Sequence, residues 1–187
     1  MKKSIAIFAS GSGSNAENIY QYFKDSDIVN VATLVCNNPN AGVIERFIDT
    51  DVEVILIEKK DLSDPEFIQD LNGVDLIVLA GFLALIPVSL ISAFPKKIIN
   101  IHPALLPNYG GKGMYGDHIH RAVLENKEKK HGITIHYVNE EFDKGEIIFQ
   151  EEFVVTEKDD LTSIQSKIHI LEFQNYPKVI ERLLTFN

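Results

Sequence analysis

Residues 4–23 read SIAIFASGSGSNAENIYQYF. The first seven are short, rich in apolar residues and bounded by glycine, so they read as a buried strand. From Asn15 to Asp25 the pattern is that of a helix. Between them lies Ser10-Gly11-Ser12-Gly13-Ser14-Asn15. Glycines there permit positive φ and close backbone approach, and the helix start offers unpaired N–H groups at the positive end of its dipole. Together they suit an anion, most often phosphate. No Lys-Ser/Thr pair follows, so this is not a Walker loop. Asn15 and Ala16 stand where a dinucleotide fingerprint would have its third glycine. The simpler reading is a tight turn in which Ser14 or Asn15 caps the helix.

Outward from this unit the alternation continues. IVNVATLVC (28–36), VEVILIE (52–58), VDLIVLAG (74–81) and KIIN (97–100) read as strands. AGVIERFIDT (41–50), DPEFIQDLNG (64–73) and a short segment after Pro87 read as helices, with Asp64 as N-cap and Pro65 at the first helical position. Such alternation predicts an α/β fold: an open, mostly parallel twisted sheet with helices on both faces. The second part differs. HIHRAVLEN (118–126) is a helix, while GITIHYV (132–138) and EIIFQEEFVV (146–155) are strands joined through EEFDKGE, an antiparallel extension near the C-terminus. Residues 161–186 read as one long helix with a kink or break at Pro177. One domain is expected over 1–187, with a phosphate-binding half (1–100) and a second half (101–187).

The bulk numbers bound the possibilities. The 187 residues are 45% hydrophobic and 24% charged, with net charge −9. An acidic surface argues against broad nucleic-acid or anionic-membrane binding. The opening MKKSIAIF mimics a signal peptide, but its apolar run is only strand-length and ends in the Gly/Ser turn. The one cysteine, Cys36, lies in an apolar run and reads as a buried thiol. A reducing, cytoplasmic setting fits.

The long loop carries the chemistry. In IINIHPALLPNYGGKGMYG, Ile98–Gly116, an apolar run ends in Asn100 and His102, then more than a dozen residues show no regular pattern. Loops of that length in small domains are functional or disordered. In extended chain Asn100 and His102 point to one side. Asp143 sits in good turn chemistry. His136 shares a strand face with Thr134 and Val138. Glu172 extends the i, i+4 stripe of Ile164 and Ile168, and a carboxylate on such a stripe requires a partner. His118 and His120 point to different helix faces, and no metal-ligand spacing appears.

SGSGSN, LAGFLALIP, INIHPALLP, HGITIHYV and EEFDKGEII follow one another in an order that resembles the folate-dependent formyltransferases. The short length and the SGSGSN turn resemble the phosphoribosylglycinamide formyltransferase branch, across essentially the whole chain. The resemblance implies a Rossmann-like formyltransferase fold. It implies transfer of the formyl group of 10-formyltetrahydrofolate, a co-substrate, to the amine of glycinamide ribonucleotide in purine biosynthesis, without a metal. Asn100, His102 and Asp143 match the catalytic set. Gly11, Ser12, Gly13, Ser14 and Asn15 match the phosphate site, and Glu172 the ribose and glycinamide contact. Leu83, Ala84, Leu85 and Ile86, with the loop from Val138 to Asp143, match the folate pocket, as do Asn100 and His136.

On this reading Asn100 and a protonated His102 donate to the oxyanion, and Asp143 raises the imidazole's pKa. The 101–187 half is then the catalytic and folate-binding one, and the loop beyond Pro107 closes over bound substrate. Ala84 replaces a frequent arginine. The loop is longer than the family's short form, and the chain stops soon after Phe186, short of the tail of some members. Small-molecule partners are expected, with no nucleic acid or membrane, in a monomer or homodimer. Methionyl-tRNA formyltransferase adds a domain and favours basic surface. Formyltetrahydrofolate hydrolase adds an N-terminal domain. A nucleotide sensor would leave Asn100, His102 and Asp143 incidental.

Overall fold

The computed structural model describes residues 2–185; Phe186, the expected end of the last helix, lies outside them. Seven strands form one sheet: β1 (Lys3–Ala9), β2 (Val29–Cys36), β3 (Glu53–Leu56), β4 (Leu76–Leu79), β5 (Ile98–His102), β6 (Lys130–Tyr137) and β7 (Ile147–Val154). Their order is β3-β2-β1-β4-β5-β6-β7, parallel through β5 and antiparallel for β6 and β7. The expected mixed sheet is the one observed.

Side-chain alternation along the strands splits the core in two. Ile5, Ile7, Val78, Ile99, Ile101, Ile133 and Ile135 face one side. There they meet α1 (Ser14–Phe23), α2 (Gly42–Phe47), α5 (Asp117–Glu125) and α6 (Leu161–Thr185). Ala6, Phe8, Ile77, Leu79 and Ile98 face the other, against α3 (Pro65–Asp70) and α4 (Val88–Ala93). Period-2 burial on both faces explains why the strands read as nearly continuous apolar runs.

Local chemistry decides several ends. Asp64 caps α3, its side chain accepting from Glu66 N–H at 2.9 Å. A 3₁₀ turn at Asp61–Ser63, absent from the sequence pattern, precedes it. The first helix corrects an expectation: its N-cap is Gly13, at φ 78°, and neither Ser14 nor Asn15 caps it. Gly13 also allows close packing, because a Cβ there would lie 2.4 Å from Val43 Cγ2. Pro177 does not break α6, which runs unbroken for 25 residues. Proline has no N–H to offer the carbonyl four residues back, and Asn18 Nδ2 of α1 donates to that Phe173 carbonyl at 3.1 Å instead.

His120 of α5 and His131 of β6 form a buried pair, Nδ1 to Nε2 at 3.0 Å. Burial, with the neighbouring His120 and His102, pushes His131 down to about 4. The folded value lies below the ordinary 6.5, so this contribution is full above pH 6.5 and is lost as pH falls toward 4. The linkage is worth roughly 3 kcal/mol. Urea unfolding of His131→Gln at pH 7 and pH 4.5 is therefore expected to show a shallower acid loss than the parent.

Among the described residues no helix is long and apolar enough to cross a membrane. Among the same residues no group of three or more His, Cys, Asp or Glu is placed to hold a metal.

Candidate active site

Strand order reverses beside β1, whose neighbours are β2 and β4. Ligands in open α/β sheets bind beyond the carboxyl ends of the strands at such a point. Here that edge carries the turn after β1, the segment 80–86 after β4, and Asn100 and His102 at the end of β5. A cavity of about 600 Å³ opens there, within the size range of small-ligand sites.

Asn100 and His136 are directly opposed across β5 and β6. Asn100 Nδ2 lies 3.2 Å from His136 Nε2, and His136 Nδ1 lies 2.8 Å from the Tyr137 carbonyl. A carbonyl only accepts, so Nδ1 carries the hydrogen and Nε2 accepts from the Asn100 amide. That fixes which way the amide faces and leaves its second N–H free.

His102 Nε2 donates to the Tyr109 carbonyl at 2.8 Å. Its Nδ1 then points at Asp143 Oδ1, 3.5 Å away. Asp143 Oδ1 is also 3.6 Å from His136 Nε2, and Oδ2 accepts from Gly111 N–H at 2.9 Å. Burial pushes the Asp143 carboxyl up, but His136, His102 and the Gly111 N–H together hold it below the ordinary carboxylate value. For His102 the balance runs against expectation. Burial pushes the imidazole down, and Asp143 and the Tyr109 carbonyl offset only part of that. Asp143 does favour the charged ring; desolvation of a side chain that is 4% exposed outweighs it.

Glu172 is 7% exposed on the α6 stripe that continues through Tyr176 and Ile180. Its Oε2 accepts from Asn15 Nδ2 at 3.0 Å. Burial pushes its carboxyl up to about 7, the Asn15 bond offsetting part. Asn15 Oδ1 is buried with no partner among the described residues, and Asn15 lines the cavity.

Asn15, Leu83, Ala84, Leu85, Ile86, Asn100, His102, His136, Val138, Asp143 and Glu172 all line this one cavity. Gly11, Ser12, Gly13 and Ser14 do not; they form the adjoining turn, where Gly11 and Ser12 are exposed and Arg46 Nε donates to the Ser12 carbonyl at 2.7 Å. Met114 and Tyr115, in the loop expected to cover substrate, and Phe142, in the Val138–Asp143 loop, also line the cavity. The backbone partners Tyr109 and Gly111 have no signal in residue type. Cys36 is buried, its thiol donating to the Asn38 carbonyl.

An open α/β sheet that gathers an oriented amide, two imidazoles and a carboxylate held below its ordinary pKa beside an apolar mouth has the makings of an enzyme active site. Residues 3–180 match the formyl transferase family, and the chain belongs to that family. It is 39% identical to phosphoribosylglycinamide formyltransferase of Bacillus subtilis (strain 168), over 99% of this chain and 96% of that protein. The chloroplastic phosphoribosylglycinamide formyltransferase of Arabidopsis thaliana is 40% identical over 96% of this chain, which spans 64% of that protein's length. The crystal structure of the enzyme of that name from Bacillus halodurans matches at TM-score 0.86 and 37% identity, covering 98% of this chain and 96% of that one.

Proposed function

We propose that this chain transfers the formyl group of 10-formyltetrahydrofolate to the amine of phosphoribosylglycinamide. One observation carries the reading. A single cavity has apolar wall at Leu83–Ile86 and Val138, polar floor at Asn100, His102, His136 and Asp143, and a second polar end at Asn15 and Glu172. Two substrates of different chemistry would meet over that floor.

The residues fit those substrates. Leu83 and Leu85 are more than 40% exposed and offer apolar surface to a flat heterocycle, while the backbone of 83–86 offers hydrogen-bonding groups. Glu172 and the unpartnered Asn15 Oδ1 accept from an amine and ribose hydroxyls. The turn at Gly11–Ser14, open at the start of α1, takes the phosphate. The free Asn100 N–H donates to the formyl oxygen as the amine adds and charge develops there. His102, through Nδ1, and Asp143 take the proton that the amine loses and pass it to the folate nitrogen as the bond from that nitrogen to the formyl carbon breaks. Asp143 thereby acts on the proton path, and charge on His102 arises during turnover, since burial disfavours it beforehand. Loop residues Met114 and Tyr115 line the cavity, in support of a loop that covers bound substrate. A cytoplasmic setting with small-molecule partners completes the proposal, as the acidic composition and the buried lone cysteine support.

The test is a spectroscopic assay of folate deformylation, with and without the ribonucleotide. Turnover is expected only when the ribonucleotide is present, and is expected to vanish in His102→Ala. Turnover without the amine would make the chain a hydrolase and sink the transferase reading.

A further inference from the structure

Three consecutive residues of the long loop grip two ionisable groups of the cavity floor, His102 and Asp143. The Tyr109 carbonyl accepts from His102 Nε2 at 2.8 Å, and the Gly111 N–H donates to Asp143 Oδ2 at 2.9 Å. Gly110 between them approaches so closely that a Cβ there would lie 2.5 Å from Leu106 Cδ2 and 3.2 Å from Asp143 Cβ. Tyr109 itself sits at φ 57°, which costs a bulky residue and persists only when the surroundings hold it.

The hold comes from outside the cavity. The Tyr109 hydroxyl donates to Glu128 Oε1 at 2.7 Å and accepts from Asn126 Nδ2 at 2.9 Å. Both partners lie in the turn between α5 and β6, and the ring packs on the core. Burial and Glu128 push the phenol up despite the opposing Asn126 bond, so it stays a donor at working pH.

We propose that the Tyr109 side chain, tied to Asn126 and Glu128, is a positioning residue for the formyl transfer. It fixes the backbone of 109–111, and through it the mutual geometry of His102 and Asp143. This rests on the catalytic reading above. A carbonyl at Nε2 keeps the hydrogen there and directs Nδ1 to Asp143. With the carbonyl released, the imidazole loses its stop and Asp143 loses a backbone donor. The carbonyl also favours the charged ring. The other titratable groups around His102 are Asp143 on the β6–β7 loop, His136 and His131 on β6, and His120 on α5; none belongs to the Tyr109 anchor.

Tyr109→Phe keeps the ring and removes both hydroxyl bonds. With ¹⁵N-histidine NMR on the ligand-free chain, parent His102 is expected to hold its hydrogen on Nε2. In the variant its titration midpoint is expected to fall by about half a unit as the carbonyl is released. In turnover, kcat is expected to fall about tenfold with both KM values within about twofold, the pattern of lost positioning. Glu128→Gln, which keeps an acceptor, is expected to lose less than Glu128→Ala. An unchanged His102 signal in Tyr109→Phe would overturn the proposal, as would an unchanged kcat or a loss confined to KM. Should the parent show no formyl transfer, the functional reading fails, and the NMR titration still decides whether Tyr109 positions His102.

Discussion

Asn100→Ala is expected to lower kcat by about 10²- to 10³-fold, because one preorganised oxyanion donor is worth roughly 3–4 kcal/mol of barrier. The case rests on where the amide hydrogens go. One is spent on His136 Nε2, the cross-strand partner at 3.2 Å. His136 is held for that task by the Tyr137 carbonyl. The other has no side-chain partner among the described residues of the site, and Asn100 lines the cavity. The fold is expected to survive, since Ile98, Ile99 and Ile101 keep β5 buried and ladder bonds use backbone groups. Asn100→Asp is expected to do worse than Ala. It removes both donors and sets a negative charge beside Asp143 and the developing oxyanion. Steady-state kinetics on the purified variants, with melting as the check on folding, decides the matter. A rise in KM at unchanged kcat would place Asn100 in ground-state binding and remove it from the transition state.

The sheet was legible because strands buried on both faces are written as continuous apolar runs, and the helices between them carry caps such as Asp64-Pro65. The antiparallel turn of β6 and β7 was legible from Asp-Lys-Gly chemistry. Less visible was anything that depends on a competition. Asp143 beside His102 suggests a raised imidazole pKa from residue types alone; only the burial of that ring shows that desolvation wins. Asn15 illustrates the same limit. As a helix-start residue it reads as a cap, yet Gly13 takes that place and the amide crosses to Glu172 on α6, 157 residues away. Glu172 itself was found by its position on an apolar stripe, since a misplaced charge is a physical anomaly that the one-dimensional pattern records. The grip of Tyr109 and Gly111 runs through backbone atoms, which every residue has, so no residue type announces it.

Glu172→Gln is expected to move stability and activity in opposite directions. Burial lifts the Glu172 carboxyl from 4.5 to about 7 in the folded protein. The unfolded chain releases the proton near 4.5 while the folded one keeps it until about 7. Stability from this group is therefore full below pH 4.5 and is lost as pH rises through 7. Above that the ionised carboxylate costs roughly 3 kcal/mol. Glutamine keeps an oxygen for the Asn15 amide and has no charge to desolvate. At pH 8 the variant is expected to gain up to about 3 kcal/mol, or roughly 6–12 °C in Tm for a chain of this size. At pH 4.5 the gain is expected to disappear, because the parent is then neutral too. Turnover runs the other way. A carboxylate that accepts from the substrate's amine and hydroxyls makes charge-assisted bonds worth about 1.5–3 kcal/mol, so kcat/KM is expected to fall about 10- to 100-fold. Urea unfolding at both pH values separates the causes. An equal gain at pH 4.5 and pH 8 would trace it to packing, and ionisation would drop out. An unchanged kcat/KM would leave Glu172 as a buried acid with no substrate to justify it. A site that holds a costly carboxylate in the free protein and regains the cost when a cationic or hydroxylic ligand arrives would show both effects in one variant.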